Sequence, residues 1–178
     1  MANAGERARS RARRVDRAVT GLVVTAVDGA ADVLAAATIW ARATACRDGD
    51  PEPAPGEAAV PGLLKRLDVV GARLVLARVD GRPVGFTLVA PRADALEVWY
   101  VGVDPDAWGG GVARRLLRTA EDHARETGHE ELRLWVIADN ARAIRVYESA
   151  GWVGTDEVAH NPRSGRLERR FVRRVRTG

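Results

Sequence analysis

The sequence predicts an α/β domain built on a mixed sheet. Three observations carry that reading. A strong strand, Ala95 to Val103, runs through a glycine loop into a helix that starts at Val112. A hairpin signal, Asp80-Gly81, joins two alternating segments. Further strand-like and helix-like segments then succeed one another along the chain, which mixes hairpins with one β-α-β unit.

In chain order, Thr20 to Val27 is β-branched and forms a first strand that Asp28-Gly29 breaks. Ala30 to Ala45 is a helix, with Val33, Ala37, Trp40 and Ala41 close to helical spacing. Residues 47–58 carry Pro51, Pro53 and Pro55 and form a loop. Val60 to Val69 is a second short helix with Leu63, Leu64 and Leu67 on one side. Ala72 to Val79 and Val84 to Val89 are the arms of the hairpin, Leu74 and Leu76 sharing a face. After Val103, Asp104-Pro105 ends the strand. Val112, Leu116, Ala120 and Ala124 then repeat every four residues, widened by Ala113 and Leu117, until Gly128 stops the helix. Leu132 to Ile137 is a strand, and Asn140 caps a helix through Ala150 with Gly151 at its C′ position. Gly154 to Gly165 is loop-like, with one more short strand near Trp152–Val158, and Leu167 to Val175 alternates as the last strand.

The chain has 178 residues, 46% apolar and 29% charged, which suits a globular domain rather than a disordered one. Its net charge of +4 is unevenly spread. Residues 1–17 hold six arginines against Glu6 and Asp16, and residues 163–178 hold seven against Glu168. That leaves 15 basic and 21 acidic residues between them, a net of −6. We therefore expect a basic, disordered tail over residues 1–17 and one domain over 18–178. The body contains no RNA or DNA motif, so a nucleic-acid role would rest on the basic ends. At the level of the overall field, its acidic balance favours a cationic partner. The longest nearly apolar run, Val33 to Ala41, is far short of the ~20 residues that span a bilayer. Residues 1–17 lack the apolar stretch of a secretory signal. Cys46 is the sole cysteine, which excludes an internal disulfide and favours a reducing, cytoplasmic setting. Three histidines (His123, His129 and His160) show neither triad nor metal spacing, and no metal is expected.

The chemistry gathers around residues 95–152. The loop Trp108-Gly109-Gly110-Gly111 enters the helix at Val112, where unpaired backbone N–H groups and the positive end of the helix dipole make an anion site. It is not Gly-x-Gly-x-x-Gly, because Arg114 stands where the third glycine should be, and no Gly-Lys-Ser/Thr follows. On this segment alone, phosphate binding and a simple tight turn stay equally open.

The wider pattern resembles the GCN5-related N-acetyltransferase (GNAT) superfamily. It comprises Val103-Asp104-Pro105, then Trp108-x-x-Gly111-x-Ala113, then Asn140-x-x-Ala143-x-x-x-Tyr147-x-x-x-Gly151-Trp152. The resemblance implies a mostly antiparallel mixed sheet of six to seven strands flanked by about four helices. It also implies acetyl transfer from acetyl-CoA to an amine, a small molecule or a protein N-terminus, by direct attack in a ternary complex. No cysteine or serine nucleophile is evident. A catalytically silent CoA-binding module is the alternative.

Carried onto this chain, the resemblance assigns the pyrophosphate to the backbone of Gly109, Gly110, Gly111, Val112 and Ala113, with Arg114 adding charge. Trp108 stands where the family usually has Arg or Gln, and an indole does not pair with phosphate as a guanidinium does. Val101 and Val103 would pair with the pantetheine arm, Gly102 permitting a bulge that frees an amide for the thioester carbonyl. Asn140 is both a helix cap and the family's cofactor contact. Tyr147 would give a proton to the leaving sulfur, or else simply pack on its helix. Glu97 would take a proton from the amine, directly or through water, or else be a strand carboxylate facing solvent or an arginine. Trp99, on the face of Glu97, lines the acceptor pocket or packs in the core.

Overall fold

The computed structural model describes residues 20–176. The tail expected over residues 1–17 lies outside them. Seven strands form one sheet in the order β1-β2-β3-β4-β5-β7-β6. They are β1 (Leu22–Ala26), β2 (Arg73–Val79), β3 (Arg82–Arg92), β4 (Ala95–Val103), β5 (Glu131–Ile137), β6 (Val153–His160) and β7 (Leu167–Arg174). Every pairing is antiparallel except β4 with β5. The helices are α1 (Ala30–Asp48), α2 (Val60–Leu67), α3 (Val112–Glu126) and α4 (Ala141–Ser149). No helix among the described residues is long and apolar enough to cross a membrane.

The sheet sits between two apolar layers. On one face Val33, Ala36, Ala37 and Ile39 of α1 and Leu63 of α2 pack on Leu74, Leu76, Phe86 and Leu88. On the other, Leu117, Ala120 and Ala124 of α3 pack on Leu96, Val98, Leu132 and Leu134. Alanines in α1 and α3 let the helix backbones approach the sheet closely. Leu64, expected beside Leu63 on the packed side, is 46% exposed. Adjacent residues on a helix point about 100° apart, so one of the two must turn away.

Three boundaries differ from the sequence reading. Helix α1 continues past Ala45 to Asp48 and stops at Gly49, whose φ of 76° gives the left-handed cap. Strand β3 extends to Arg92 through its pairing with β4 alone. The ladder to β2 ends at Val89, so Pro91 lies where one side of β3 is unpaired and its missing N–H costs no ladder bond. The short strand expected near Trp152–Val158 is β6, and it runs on to His160, taking up most of the segment read as loop-like, Gly154–Gly165. It is an exposed edge strand with almost no buried side chain, and its ladder to β7 is irregular between Gly154 and Val158. With no apolar alternation, it carries little strand signal.

Strand β4 departs from regular pairing in two places. Its parallel pairing with β5 is confined to Leu96↔Leu132 and Glu97↔Arg133. Beyond those pairs the two strands part and leave an edge of β4 open. The second departure is a bulge. Leu88 pairs with Tyr100 and Val89 with Val98, so Trp99 is the extra residue. Trp99 and Tyr100 both pack against the α1/α2 layer, whereas Val98 and Val101 belong with the α3 layer.

Candidate active site

The bulge expected at Gly102 is therefore at Trp99. Gly102 pairs in register with Phe86, and a Cβ on it would fall 2.3 Å from Phe86 Cε1. Its glycine serves close packing against that ring rather than strand distortion.

Where β4 and β5 part, a cleft of about 1330 Å³ opens through the sheet. One wall is the start of α3. Gly109 and Gly111 have φ of 83° and 77°, and a Cβ on either would meet nothing within 4 Å. They are glycines because of backbone conformation, and the space beside them is open. The first bond of α3 runs from Arg115 N–H to Gly111 O at 3.0 Å. The amides of Gly111, Val112 and Ala113 thus precede the intrahelical ladder, and no side chain caps them. The Gly110 N–H reaches back to Ala107 O at a long 3.4 Å.

This loop is held from behind. Asp104 is buried and accepts the Asp106 N–H at 3.0 Å, which closes the turn over Pro105–Ala107. Its other oxygen takes Arg42 Nη1 of α1 at 2.6 Å. Trp108 Nε1–H donates to Val103 O at 2.9 Å, so the indole lies back on the end of β4. One of the two Val103 groups expected to face a pantetheine arm is thereby already bonded, while its N–H leaves the strand on the same edge. Arg142, two residues past Asn140, places its guanidinium over the Trp108 ring, 4.1 Å from the centroid. The sequence reading did not single it out. Arg114 lines the cleft and donates to Ser149 Oγ at 3.3 Å, linking α3 to the end of α4.

Asn140 is the cap of α4, its Oδ1 accepting Ala143 N–H at 3.2 Å, and it also borders the cleft. Tyr147, two turns on, packs between the rings of Trp152 and Phe171, each centroid 6.1 Å away. It faces the cleft, and burial pushes its phenol up to about 12. Among the described residues nothing accepts a hydrogen bond from its hydroxyl.

Glu97 enters the cleft from the last paired position of β4 and is 3% exposed. Burial raises its pKa above the ordinary glutamate value, against the opposing pull of Arg170, Arg92 and Arg133. No hydrogen bond reaches its carboxylate among the described residues. Trp99 and Tyr100 line the same side. The cleft thus gathers Val101, Val103, Gly109, the segment from Gly111 to Arg114, Asn140, Tyr147 and Glu97, whereas Gly110 is not among its lining residues and Gly102 stands behind it against Phe86. His160 and Cys46 also lie on its rim. Among the described residues no group of three His, Cys, Asp or Glu is placed to hold a metal ion.

Comparison with known proteins adds a family to this geometry. Residues 36–152 match the acetyltransferase (GNAT) family. A mycothiol acetyltransferase from Saccharomonospora viridis is 44% identical over 75 residues, 42% of this chain and 21% of that protein. One from Propionibacterium freudenreichii is 42% identical over 88 residues, 49% of this chain and 25% of that protein. The chain therefore matches about a quarter of the length of these relatives. Among solved structures, ribosomal-protein-alanine N-acetyltransferase from Brucella melitensis superposes with a TM-score of 0.69, covering 86% of this chain and 99% of that one at 22% identity. The PaiA N-acetyltransferase of Thermoplasma acidophilum, in complex with coenzyme A, gives 0.66, covering 86% and 99% at 15% identity. At those identities the likeness is one of fold.

Proposed function

Because the chain belongs to the acetyltransferase (GNAT) family, we propose that it moves an acetyl group from acetyl-CoA to an amine, by direct transfer in a ternary complex. One observation carries this reading. A single cleft brings together a helix start with no side-chain cap, an open strand edge, a buried carboxylate and a phenol. Residues 18–178 act as one catalytic domain, and the lone Cys46 supports a cytoplasmic setting.

The residues present suit the donor. Amides from Gly109 to Ala113 receive its diphosphate, the open space at Gly109 and Gly111 permitting close approach. Arg142, stacked on Trp108, supplies the guanidinium that the loop itself lacks, and Arg114 adds a second. The Val101 and Val103 edge of β4, unpaired with β5, receives the extended arm. When bound, acetyl-CoA provides the activated acetyl group.

Two side chains handle protons. An aliphatic amine with a pKa near ~10 is mostly protonated at neutral pH and must lose a proton before it attacks. Glu97 takes it, its raised pKa making the carboxylate a stronger base than an exposed glutamate. Tyr147, with its pKa near 12, stays protonated throughout the neutral range. Its Oη–H donates towards the leaving sulfur and stabilises charge there chiefly as a hydrogen bond. A phenol at that value does not fully release its proton to a thiolate of ordinary basicity.

Acetyl-CoA-dependent thiol release over a panel of amines tests the proposal. Turnover stimulated by at least one amine above hydrolysis is expected. Tight coenzyme A binding with no turnover across the panel would replace it with a silent binding module.

A further inference from the structure

The acceptor side of the cleft differs in charge from the acidic body around it. Three arginines converge there from separate elements: Arg66 of α2, Arg92 at the end of β3 and Arg163 in the β6–β7 turn. The Arg66 guanidinium lies over Trp99 at 4.5 Å and Tyr100 at 5.1 Å, and Arg92 lies over Trp99 at 5.4 Å. Arg163 Nη1 and Tyr100 Oη both flank Gly62, lying 3.7 and 3.4 Å from where its Cβ would be.

Their pairing sets them apart from neighbouring arginines. Arg47 pairs with Asp48, Arg166 with Asp48 and Asp139, Arg133 with Asp94 and Glu131, and Arg170 with Glu157. Among the described residues no carboxylate lies within 4.0 Å of Arg66, Arg92 or Arg163. Arg66 donates only to Gly62 O, and its buried Nε has no acceptor. A half-buried guanidinium with an unused donor, fixed on aromatic rings beside two more, is arranged to receive an oxyanion.

Resting on the acetyltransferase reading, we propose that the acceptor is a small amine that also carries a carboxylate or phosphoryl group. Its anion is held by Arg66, Arg92 and Arg163 with the Tyr100 hydroxyl, and its nitrogen lies towards Glu97. Trp99, bulged out of β4, is the platform that orients two of the guanidiniums. Net charge over the whole body gives the opposite expectation because it averages over surfaces that the acceptor never meets.

The test uses the full chain and matched acceptors: α-, β- and γ-amino acids, the amide of each, and aminoalkylphosphonates. Thiol release gives kcat/KM, and calorimetric titration with coenzyme A present gives affinity without turnover. The acid of a matched pair should exceed its amide at least tenfold in either readout, and the phosphonates show which oxyanion is preferred. Arg163→Ala and Arg92→Ala, both at exposed positions, should bring that ratio close to one, while Arg163→Lys keeps part of it. Amides that equal or exceed the acids in both readouts would overturn the anion site, as would an acid preference that survives both alanine variants. If no amine is turned over yet the acids still bind preferentially, the acetyltransferase reading fails and the anion site stands.

Discussion

The Arg142 guanidinium lies over the Trp108 indole at 4.1 Å, while the same indole donates its Nε1–H to Val103 O at 2.9 Å. One aromatic ring thus fixes a cation at the mouth of the glycine loop and closes the end of β4. Arg142→Ala should weaken acetyl-CoA binding about tenfold, roughly 1.4 kcal/mol, with kcat largely kept. Calorimetry with coenzyme A checks this, and an unchanged Kd would remove Arg142 from the cofactor site.

Ala113→Glu separates anion binding from helix stability. A carboxylate in the first turn of α3 interacts favourably with the helix dipole, by about 0.3–1 kcal/mol. The same charge repels a diphosphate. Thermal stability should hold or rise while acetyl-CoA affinity falls more than about 100-fold. A variant that melts normally and still binds the cofactor would place the diphosphate elsewhere.

Tyr147→Phe should lower kcat by the ~10²–10³ typical of losing one hydrogen bond to a developing charge and leave acetyl-CoA affinity nearly unchanged. Its hydroxyl has no protein acceptor among the described residues, so stability should barely move. Because its pKa is about 12, no alkaline limb from Tyr147 should appear in the rate profile below about pH 11.

Glu97 links activity and stability to pH. Its folded pKa is raised by burial, so the unfolded chain loses this proton first. Stability is therefore lost as pH climbs from the ordinary glutamate value, 4.5, through the raised folded value. Glu97→Gln should be more stable than wild type at pH 8 and equal to it near pH 4, as read by urea titration. The wild-type acid limb of kcat/KM should lie above the ordinary carboxylate range, with activity in the variant reduced about 10²-fold or more.

Gly102→Ala tests packing. Its Cβ would meet the Phe86 ring at 2.3 Å, an overpacking worth about 1–3 kcal/mol. Adding Phe86→Leu should recover part of the loss in melting temperature.

Much of the scaffold was legible because its signals are local. The strand into Val103, the glycine loop and the four-residue apolar repeat of α3 each state their structure within a few residues. Asn140 as a cap was readable for the same reason. Edge strand β6 was legible only in its first part, near Trp152–Val158; its continuation to His160 was not, since every side chain from Asp156 on is exposed and carries no alternation. Nor was the bulge at Trp99, which arises from the register between β3 and β4 rather than from any residue that needs it. Glu97 and Tyr147 stood out as candidates, but their desolvation comes from distant elements. The cations were the hardest to foresee. Arg66, Arg92, Arg142 and Arg163 come from four segments, and only the folded chain shows which of its many arginines lack a carboxylate.

The most direct measurement is a crystal structure of the full chain with coenzyme A. The diphosphate should accept hydrogen bonds from amides between Gly109 and Ala113, the arm should run along the Val101–Val103 edge, and the sulfur should lie within reach of Tyr147 Oη. A diphosphate bound away from the start of α3, or a cleft that stays empty at millimolar coenzyme A, would contradict the account.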